Sequence, residues 1–142
     1  MSCYLDSSVL FSLYVPDSNT LSAVSKTRAA ARPLLCSDFA EFEFVNALSL
    51  RLFRHELSLS EVEEVLALFR RDLESGTFRY ARIPSVAFQR ARDIARQKTP
   101  KLGTRSLDIL HVASALALAA DQFLTFDDKQ AKLASALGVR LL

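Results

Sequence analysis

Short apolar runs alternate with segments of helical periodicity along almost the whole of this chain. Each apolar run fits a short buried strand, and most of the runs are separated by helix-length segments that carry capping residues. The predicted strands cover about residues 3–6, 34–36, 77–83, 121–126 and 139–142. This alternation is typical of an α/β, three-layer sandwich in which helices flank a mostly parallel central sheet. We expect residues 1–142 to form one such domain.

The predicted helices begin and end at residues that cap or terminate helices. They cover about residues 9–15, 19–31, 38–54, 61–75, 85–100, 106–120 and 129–137. Three of these helices have two candidate N-caps each, which are Ser18 or Asn19, Ser37 or Asp38, and Thr104 or Ser106. The segment 101–105 is the clearest loop.

Four carboxylates lie where a folding argument alone would not place them. Asp6 ends the first predicted strand, Asp127 closes the fourth, and Glu43 and Asp108 lie among apolar residues of two predicted helices. Asp and Glu are almost never fully buried unless they are paired or bind a metal. Because ligands bind at the carboxyl ends of parallel strands, Asp6 and Asp127 should lie on the same edge of the sheet.

Three of these acids also have a purely structural interpretation. Asp108 falls in the first turn of its helix, where backbone amides favour an anion, and Glu43 fits a solvated helix edge. Either Asp127 or Asp128 can cap the helix that follows them. We expect Asp128 to be that cap and Asp127 to face the cleft. Asp6 is the acid that most needs a partner, because it interrupts an apolar strand.

A cluster of acids requires a cation. Two like charges at ~4 Å repel by roughly 1 kcal/mol in water and by ~4 kcal/mol at the effective dielectric of a protein surface. Carboxylate oxygens favour Mg²⁺ or Mn²⁺ over zinc, and no CxxC or Cys/His spacing supports a zinc site. Such an ion polarises a phosphoryl oxygen and lowers the pKa of a bound water. The acids therefore indicate metal-dependent phosphodiester chemistry.

Charge and hydropathy indicate which ligand and which cellular compartment to expect. The net charge is only +2, but most of the 18 cations are Arg, which suits bidentate contacts with phosphate. Cys3 and Cys36 fall in predicted strands and are interpreted as core residues in a reducing compartment. Asp6 breaks the first apolar stretch, so no signal peptide is expected, and no segment is apolar enough to span a bilayer. We expect a cytoplasmic protein without a membrane contact.

The chain resembles the PIN-domain family, most closely the VapC-type toxin ribonucleases of toxin–antitoxin pairs. The resemblance rests on four segments in order: Tyr4 to Leu10, Ser37 to Asn46, Leu107 to Ala113, and Phe123 to Asp127. It implies four catalytic acids for RNA cleavage, namely Asp6, Glu43, Asp108 and Asp127. Among these acids, Asp6, Asp108 and Asp127 are the implied ligands of Mg²⁺ or Mn²⁺. Asp128 leaves the identity of the fourth acid open.

The resemblance also assigns supporting residues and partners. Ser8 resembles the small hydroxyl residue that supports the first acid, and Asn46 resembles a polar neighbour of the family's Glu. The implied partners are an RNA substrate, a cognate antitoxin protein and a second copy of the chain. The apolar residues of the helix over 61–75 are the expected dimer contact, namely Val65, Leu66 and Phe69.

Three further residues lie near the implied acids. Lys101 and Arg105 are expected to bind RNA, because the loop predicted over 101–105 leads into the helix that carries Asp108. His111 lies one turn beyond Asp108 and is interpreted as a core residue with satisfied hydrogen bonds.

Two other functions remain compatible with these residues. One is a PIN-domain nuclease that acts in RNA processing outside toxin–antitoxin systems, and the other is a metal-binding interaction module without catalysis. A haloacid-dehalogenase phosphatase fits poorly, because it needs a second acid two residues after the first, where this chain has Ser8. A receiver domain fits poorly too, because its acid pair follows the first strand, whereas Asp127 and Asp128 come near the end.

Overall fold

The strands of this protein form one fully parallel sheet. The computed structural model describes all residues from 1 to 142. The strands are β1 (Cys3–Leu5), β2 (Leu34–Ser37), β3 (Arg79–Ala81), β4 (Gln122–Leu124) and β5 (Arg140–Leu141). The helices are α1 (Ser7–Tyr14), α2 (Thr20–Ala29), α3 (Asp38–Phe53), α4 (Leu59–Glu74), α5 (Ser85–Leu102), α6 (Ser106–Ala117) and α7 (Asp128–Ala136). The predicted α/β architecture is confirmed.

Strand order fixes which residues emerge together at the carboxyl edge. The order is β3-β2-β1-β4-β5, so β1 lies at the centre between β2 and β4. Leu5 pairs with Cys36 on one side and with Leu124 on the other. The residues that follow Leu5 and Leu124, Asp6 and Thr125, therefore come out of the sheet side by side.

The core lies on both faces of the sheet, as alternation along a buried strand requires. Cys3 and Leu5 belong to one hydrophobic cluster, whereas Tyr4, between them, belongs to the other. The Tyr4 ring stacks on Phe123 of the neighbouring strand, with 5.5 Å between ring centroids. Two apolar layers on opposite faces of one sheet produce the three-layer sandwich.

The two cysteines are core residues, as the sequence predicts. Cys3 and Cys36 are buried, and neither forms a disulfide. Burial raises the pKa of the Cys3 thiol to about 11 and that of the Cys36 thiol to about 12. Both thiols therefore stay protonated at neutral pH and act as small apolar side chains. None of the helices has the length and hydropathy needed to cross a membrane.

The structure differs from the prediction around the loop expected over 101–105. Helix α5 continues through Pro100 to Leu102, and only residues 103–105 lie outside a helix. Gly103, with a φ of 61°, ends α5 in the left-handed conformation that favours glycine at this position. Pro100 lies in the last turn of α5, where it gives no N–H to the Arg96 carbonyl, and the helix ends two residues later.

Neither predicted N-cap of α6, Thr104 or Ser106, caps the helix. The hydroxyl of Thr104 bonds to that of Thr99 at 2.6 Å instead of capping α6, and Ser106 is already the first helical residue. Arg105 is the N-cap residue, and its side chain makes no capping hydrogen bond. The Arg105 guanidinium is therefore free to reach residues beyond the start of its own helix.

Candidate active site

The four predicted acids project from four different elements near the carboxyl edge of the sheet. Asp6 links β1 to α1, and Asp127 links β4 to α7. Glu43 lies in α3, which begins directly after β2, and Asp108 lies in the first turn of α6. The predicted position of Asp6 and Asp127 on one sheet edge is confirmed by the parallel pairing of β1 with β4.

Asp6 is a buried carboxylate, with only 1% of its surface exposed. Its Oδ1 accepts hydrogen bonds from the Ser8 hydroxyl (2.6 Å) and from the Val9 amide (3.1 Å), which also makes Asp6 the N-cap of α1. Its Oδ2 accepts a hydrogen bond from the Thr125 hydroxyl at 2.6 Å. Burial raises the pKa of the Asp6 carboxyl above its usual range, although these donors and the nearby His111 oppose that shift. The position therefore favours a nearby cation.

Ser8 and Thr125 tie the ends of β1 and β4 together around Asp6. Ser8 Oγ donates to Asp6 and accepts from the Phe126 amide at 3.1 Å. Thr125 Oγ1 donates to Asp6 and accepts from the Asp127 amide at 2.9 Å. The structure thus places Ser8 directly on the carboxylate that it was predicted to support. Sequence reasoning missed Thr125, although a hydroxyl residue just after a strand and two residues before an acid was a usable signal.

Asp127, not Asp128, caps α7, so that prediction is wrong. Asp127 Oδ1 accepts from the amides of Lys129 (2.9 Å) and Gln130 (3.0 Å). The reason is backbone conformation: Asp127 still has an extended φ and ψ, whereas Asp128 is already the first helical residue. Asp127 Oδ2 points away from the cap and lies 3.5 Å from Arg105 Nη2. The Asp128 side chain is exposed and makes no hydrogen bond to the protein.

Asp108 is nearly buried and is held from two sides. Its Oδ1 accepts from the amide nitrogen of Gln130 at 3.3 Å, and its Oδ2 accepts from Arg105 Nε at 3.1 Å. Arg105 thus joins Asp108 to Asp127 through one guanidinium. The hydrogen bond to Asp108 and the charges of both acids raise the pKa of Arg105. Neither the contact of Gln130 nor the bridging geometry of Arg105 was predicted from the sequence.

Glu43 is the end of a hydrogen-bonded chain that begins in the core. Its Oε1 accepts from the Ser7 hydroxyl at 3.0 Å and makes a short hydrogen bond with His111 Nε2. The other ring nitrogen of His111 lies 2.9 Å from the Tyr4 hydroxyl, which lies 2.8 Å from Ser37 Oγ. Because a carboxylate only accepts, Nε2 carries the His111 proton and Nδ1 accepts from Tyr4. His111 is fully buried with both nitrogens bonded, as predicted for a core residue, yet one partner is a site acid.

Two predicted residues are not brought into contact with the acids. Asn46 lies on α3 one turn beyond Glu43, is exposed, and makes no hydrogen bond to the protein. Lys101 is exposed in the last turn of α5 and forms no ion pair with the acids. Both side chains are therefore free to meet a ligand from solution.

The expected dimer contact through Val65, Leu66 and Phe69 is wrong for Phe69. Phe69 is 3% exposed and packs against Phe44 and Phe78 in the core, and Val65 and Leu66 pack on the same cluster. Apolar side chains are exposed on α3 instead, where Phe42 is 68% exposed and Phe53 is 80% exposed.

The carboxylate oxygens of the site suit a hard divalent cation chemically, but the acidic side chains are spaced too far apart to share one. Asp6, Asp108, Asp127 and Glu43 offer only carboxylate oxygens, which Mg²⁺ and Mn²⁺ prefer. No three His, Cys, Asp or Glu side chains lie close enough together to hold an ion. The Arg105 guanidinium between Asp108 and Asp127 supplies positive charge to those two acids.

Two cavities lie near the site, and Asp127 lines one of them. The first, of about 290 Å³, is lined by Ser8 and by Arg54 of the loop after α3. The second, of about 400 Å³, is lined by Asp127 and by Lys26 of α2. Asn19 lines both cavities. A cation in each cavity is suited to a phosphate-bearing strand that crosses the site.

Comparison with known proteins identifies the same fold elsewhere. A family model of the PIN domain matches residues 3–136. VapC20 from Mycobacterium tuberculosis, a toxin that cleaves the sarcin–ricin loop, aligns with a TM-score of 0.70 and 14% identity over 96% of this chain and 95% of that chain. FitAcB from Neisseria gonorrhoeae aligns with a TM-score of 0.69 and 18% identity over 99% of this chain and 96% of that chain.

A third structure resembles the chain over its full length. VapBC2 from Rickettsia felis, solved with a DNA fragment from its promoter, aligns with a TM-score of 0.68 and 15% identity over 100% of this chain and 98% of that chain. No curated protein matches the sequence significantly. At these identities the structural likeness establishes the fold alone.

Proposed function

The chain belongs to the PIN-domain family, and on that premise we propose that residues 1–142 form a metal-dependent endoribonuclease, the VapC-type toxin of a type II toxin–antitoxin pair. The observation that carries this proposal is the convergence of four acids at the carboxyl edge of the sheet, each held by donors from the surrounding fold. Asp6 is buried without an ion pair, and Asp108 and Asp127 share one exposed guanidinium, so these acids are suited to a divalent cation.

The residues have distinct proposed roles. Asp6, Asp108 and Asp127 would hold Mg²⁺ or Mn²⁺. When bound, such an ion stabilises negative charge on the scissile phosphate and makes a nearby water more acidic. Ser8 and Thr125 keep the Asp6 carboxylate in one orientation. Glu43 Oε1 is held by Ser7 and His111, while Oε2 has no protein partner and can accept the proton of the attacking water.

RNA would cross the two cavities near the site, one lined by Ser8 and the other by Asp127. Lys101 and Arg105 are proposed to contact its backbone, because both are exposed cations near the start of α6. Asn46, exposed one turn beyond Glu43, is available to a sugar or phosphate oxygen. Backbone contacts of this kind position a single strand without reading its sequence.

The proposed partners are a cognate antitoxin and a second copy of the chain. Structures of VapBC2 and FitAcB share this fold over almost their full length, which supports an antitoxin partner for this chain as well. The exposed Phe42 and Phe53 give α3 an apolar surface suited to a protein contact. The activity proposed here is cytoplasmic, where RNA is the accessible target.

The test compares RNA cleavage by the wild type with cleavage by three single variants in Mn²⁺, in Mg²⁺ and in excess EDTA. Asp6→Asn and Asp108→Asn are expected to lose at least about 100-fold in rate, because loss of even an outer-shell partner of a metal ligand costs about 10- to 100-fold. Asp128→Asn is the matched control, because Asp128 is exposed beside Asp127 and should stay near the wild-type rate. Undiminished cleavage by Asp6→Asn, or cleavage in EDTA, would contradict the mechanism.

The second candidate function is a metal-binding module without catalysis. No three of the acids are close enough to share an ion, so metal binding has to be measured separately from cleavage. Mn²⁺ binding without cleavage of any cellular RNA pool would support this candidate over the nuclease.

A PIN-domain nuclease of RNA processing is distinguished from a toxin by inducible expression with mapping of cleaved RNA ends. Only a toxin arrests growth in a way that its antitoxin reverses.

A further inference from the structure

The oxygens of the three proposed ion ligands fall into two groups. Asp6 Oδ1 and Oδ2 are held by hydroxyls and a backbone amide, and Asp127 Oδ1 is held by two amides of α7. Asp108 Oδ1 is held by Gln130. The remaining two atoms, Oδ2 of Asp108 and Oδ2 of Asp127, have no protein partner except Arg105. One exposed side chain therefore covers both carboxylate oxygens that the fold leaves open.

The contacts of Arg105 are of the kind that exchanges easily. Its Nε lies 3.1 Å from Asp108 Oδ2 and its Nη2 lies 3.5 Å from Asp127 Oδ2. The Arg105 side chain is 66% exposed, whereas those of Asp108 and Asp127 are 9% and 30% exposed, so water and salt screen both pairs from the guanidinium side. In contrast, the donors to the other oxygens are backbone amides or part-buried side chains that the fold holds in place.

From these contacts we propose that Arg105 is a resident counterion for Asp108 and Asp127, and that a divalent ion binds these acids by displacing its guanidinium. This inference rests on the proposed function, since it concerns the same metal site. The displaced guanidinium is then free to bind an RNA phosphate, so ion binding and RNA binding favour each other through Arg105.

Gln130 shows that Asp108 does not depend on Arg105 for its position. Gln130 is 5% exposed, and its Nε2 donates to Asp108 Oδ1 at 3.3 Å. Its Oε1 is buried without a partner. Reversing the amide would place this oxygen against the Asp108 carboxylate, so the observed orientation is the favourable one. Asp108 therefore stays in place when Arg105 leaves, and the orphaned Oε1 can accept a hydrogen bond from a water brought by the ion.

The experiment is a calorimetric titration of Mn²⁺ into the purified, EDTA-stripped protein and two variants. Arg105→Gln removes the guanidinium, and we expect it to bind Mn²⁺ about 2- to 30-fold more tightly, the effect of releasing two ion pairs made by one exposed guanidinium. Lys129→Gln is the matched control, because Lys129 is an exposed cation beside Asp127 that contacts no carboxylate with its side chain. Its Mn²⁺ affinity should change by less than about twofold.

The outcomes separate this inference from the proposed function. Unchanged or weaker Mn²⁺ binding by Arg105→Gln would overturn the counterion role while leaving the metal site intact. An equal gain by Lys129→Gln would also overturn it, because the cause would then be net charge alone. Absence of Mn²⁺ binding in all three proteins would overturn the proposed metal site and this inference with it. Anisotropy with a fluorescent, uncleavable RNA adds a second measurement: the ion should strengthen RNA binding more in the wild type than in Arg105→Gln.

Discussion

Replacing Thr125 with valine tests whether a single hydroxyl maintains the buried carboxylate of the site. The Thr125 hydroxyl donates to Asp6 Oδ2 at 2.6 Å and accepts from the Asp127 amide at 2.9 Å. Valine has nearly the same shape as threonine, so Thr125→Val removes both hydrogen bonds without opening a cavity. Any loss of stability then reports the hydrogen bonds rather than packing.

The size of the effect follows from the burial of the acceptor. Asp6 is 1% exposed, so water cannot readily replace the lost donor, and a hydrogen bond to a charged group contributes about 1.5–3 kcal/mol. The Asp127 amide is only partly buried, and its lost bond adds about 0.5–1 kcal/mol. The free energy of unfolding should therefore fall by about 2–4 kcal/mol, out of a typical total of roughly 5–15 kcal/mol. The melting temperature should fall by roughly 4–16 °C.

The assay is urea denaturation in EDTA, with Thr125→Ser as the matched control. Serine keeps the hydroxyl and removes one methyl group, which costs at most about 1.5 kcal/mol at a buried position and less here, where Thr125 is half-buried. If Thr125→Val were no less stable than Thr125→Ser, the hydroxyl would not be what keeps Asp6 in place. RNA cleavage should follow the same order, because a displaced Asp6 no longer presents its oxygens to an ion.

Three further outcomes are expected from the same contacts. Tyr4→Phe leaves His111 Nδ1 without a partner inside the core, so the free energy of unfolding in urea should fall by about 1–3 kcal/mol, with slower RNA cleavage through Glu43. Gln130→Leu removes the donor to Asp108 Oδ1 and should weaken Mn²⁺ binding about 10- to 100-fold by calorimetry, while little stability is lost because the orphaned Oε1 is removed as well. Mn²⁺ at 100 times its dissociation constant should stabilise the protein by about 2.7 kcal/mol, and EDTA should reverse this gain; no shift in melting temperature would argue against a metal site.

Asp6 and Asp127 could be placed together from the sequence because a parallel sheet itself brings the carboxyl ends of its strands to one edge. Apolar runs ending in Asp6 and Asp127 predict strands, and parallel strands bring their carboxyl ends to one edge whatever the loops do. Glu43 and Asp108 lie on helices, so their distance from that edge depends on helix packing, which no local pattern specifies. For these two acids the resemblance to a family supplied what periodicity could not.

The errors in the site arose from side chains whose partners are distant in sequence or whose backbone changes within one residue. Asp127 rather than Asp128 caps α7 because the helix begins at Asp128, one residue earlier than predicted. The sequence predicted Arg105 as an RNA contact but did not predict its ion pairs, in which the guanidinium of this N-cap residue of α6 reaches Asp108 and Asp127. Strand and helix periodicity can locate such residues, but it does not give the direction of a long side chain.

His111 shows that one buried polar residue of this protein can belong both to the core and to the candidate site. A fully buried imidazole must have partners for both nitrogens, because an unpaired polar group in the core is costly. Ser37 Oγ accepts from the Ala40 amide and lies 2.8 Å from the Tyr4 hydroxyl, and with the His111 proton on Nε2, Tyr4 donates to Nδ1 and Ser37 donates to Tyr4. The only acceptor that completes this chain is Glu43. The same hydrogen bonds that satisfy the core therefore fix one oxygen of Glu43 and leave the other open to the cleft, so removing any donor in the chain should disturb stability and cleavage together.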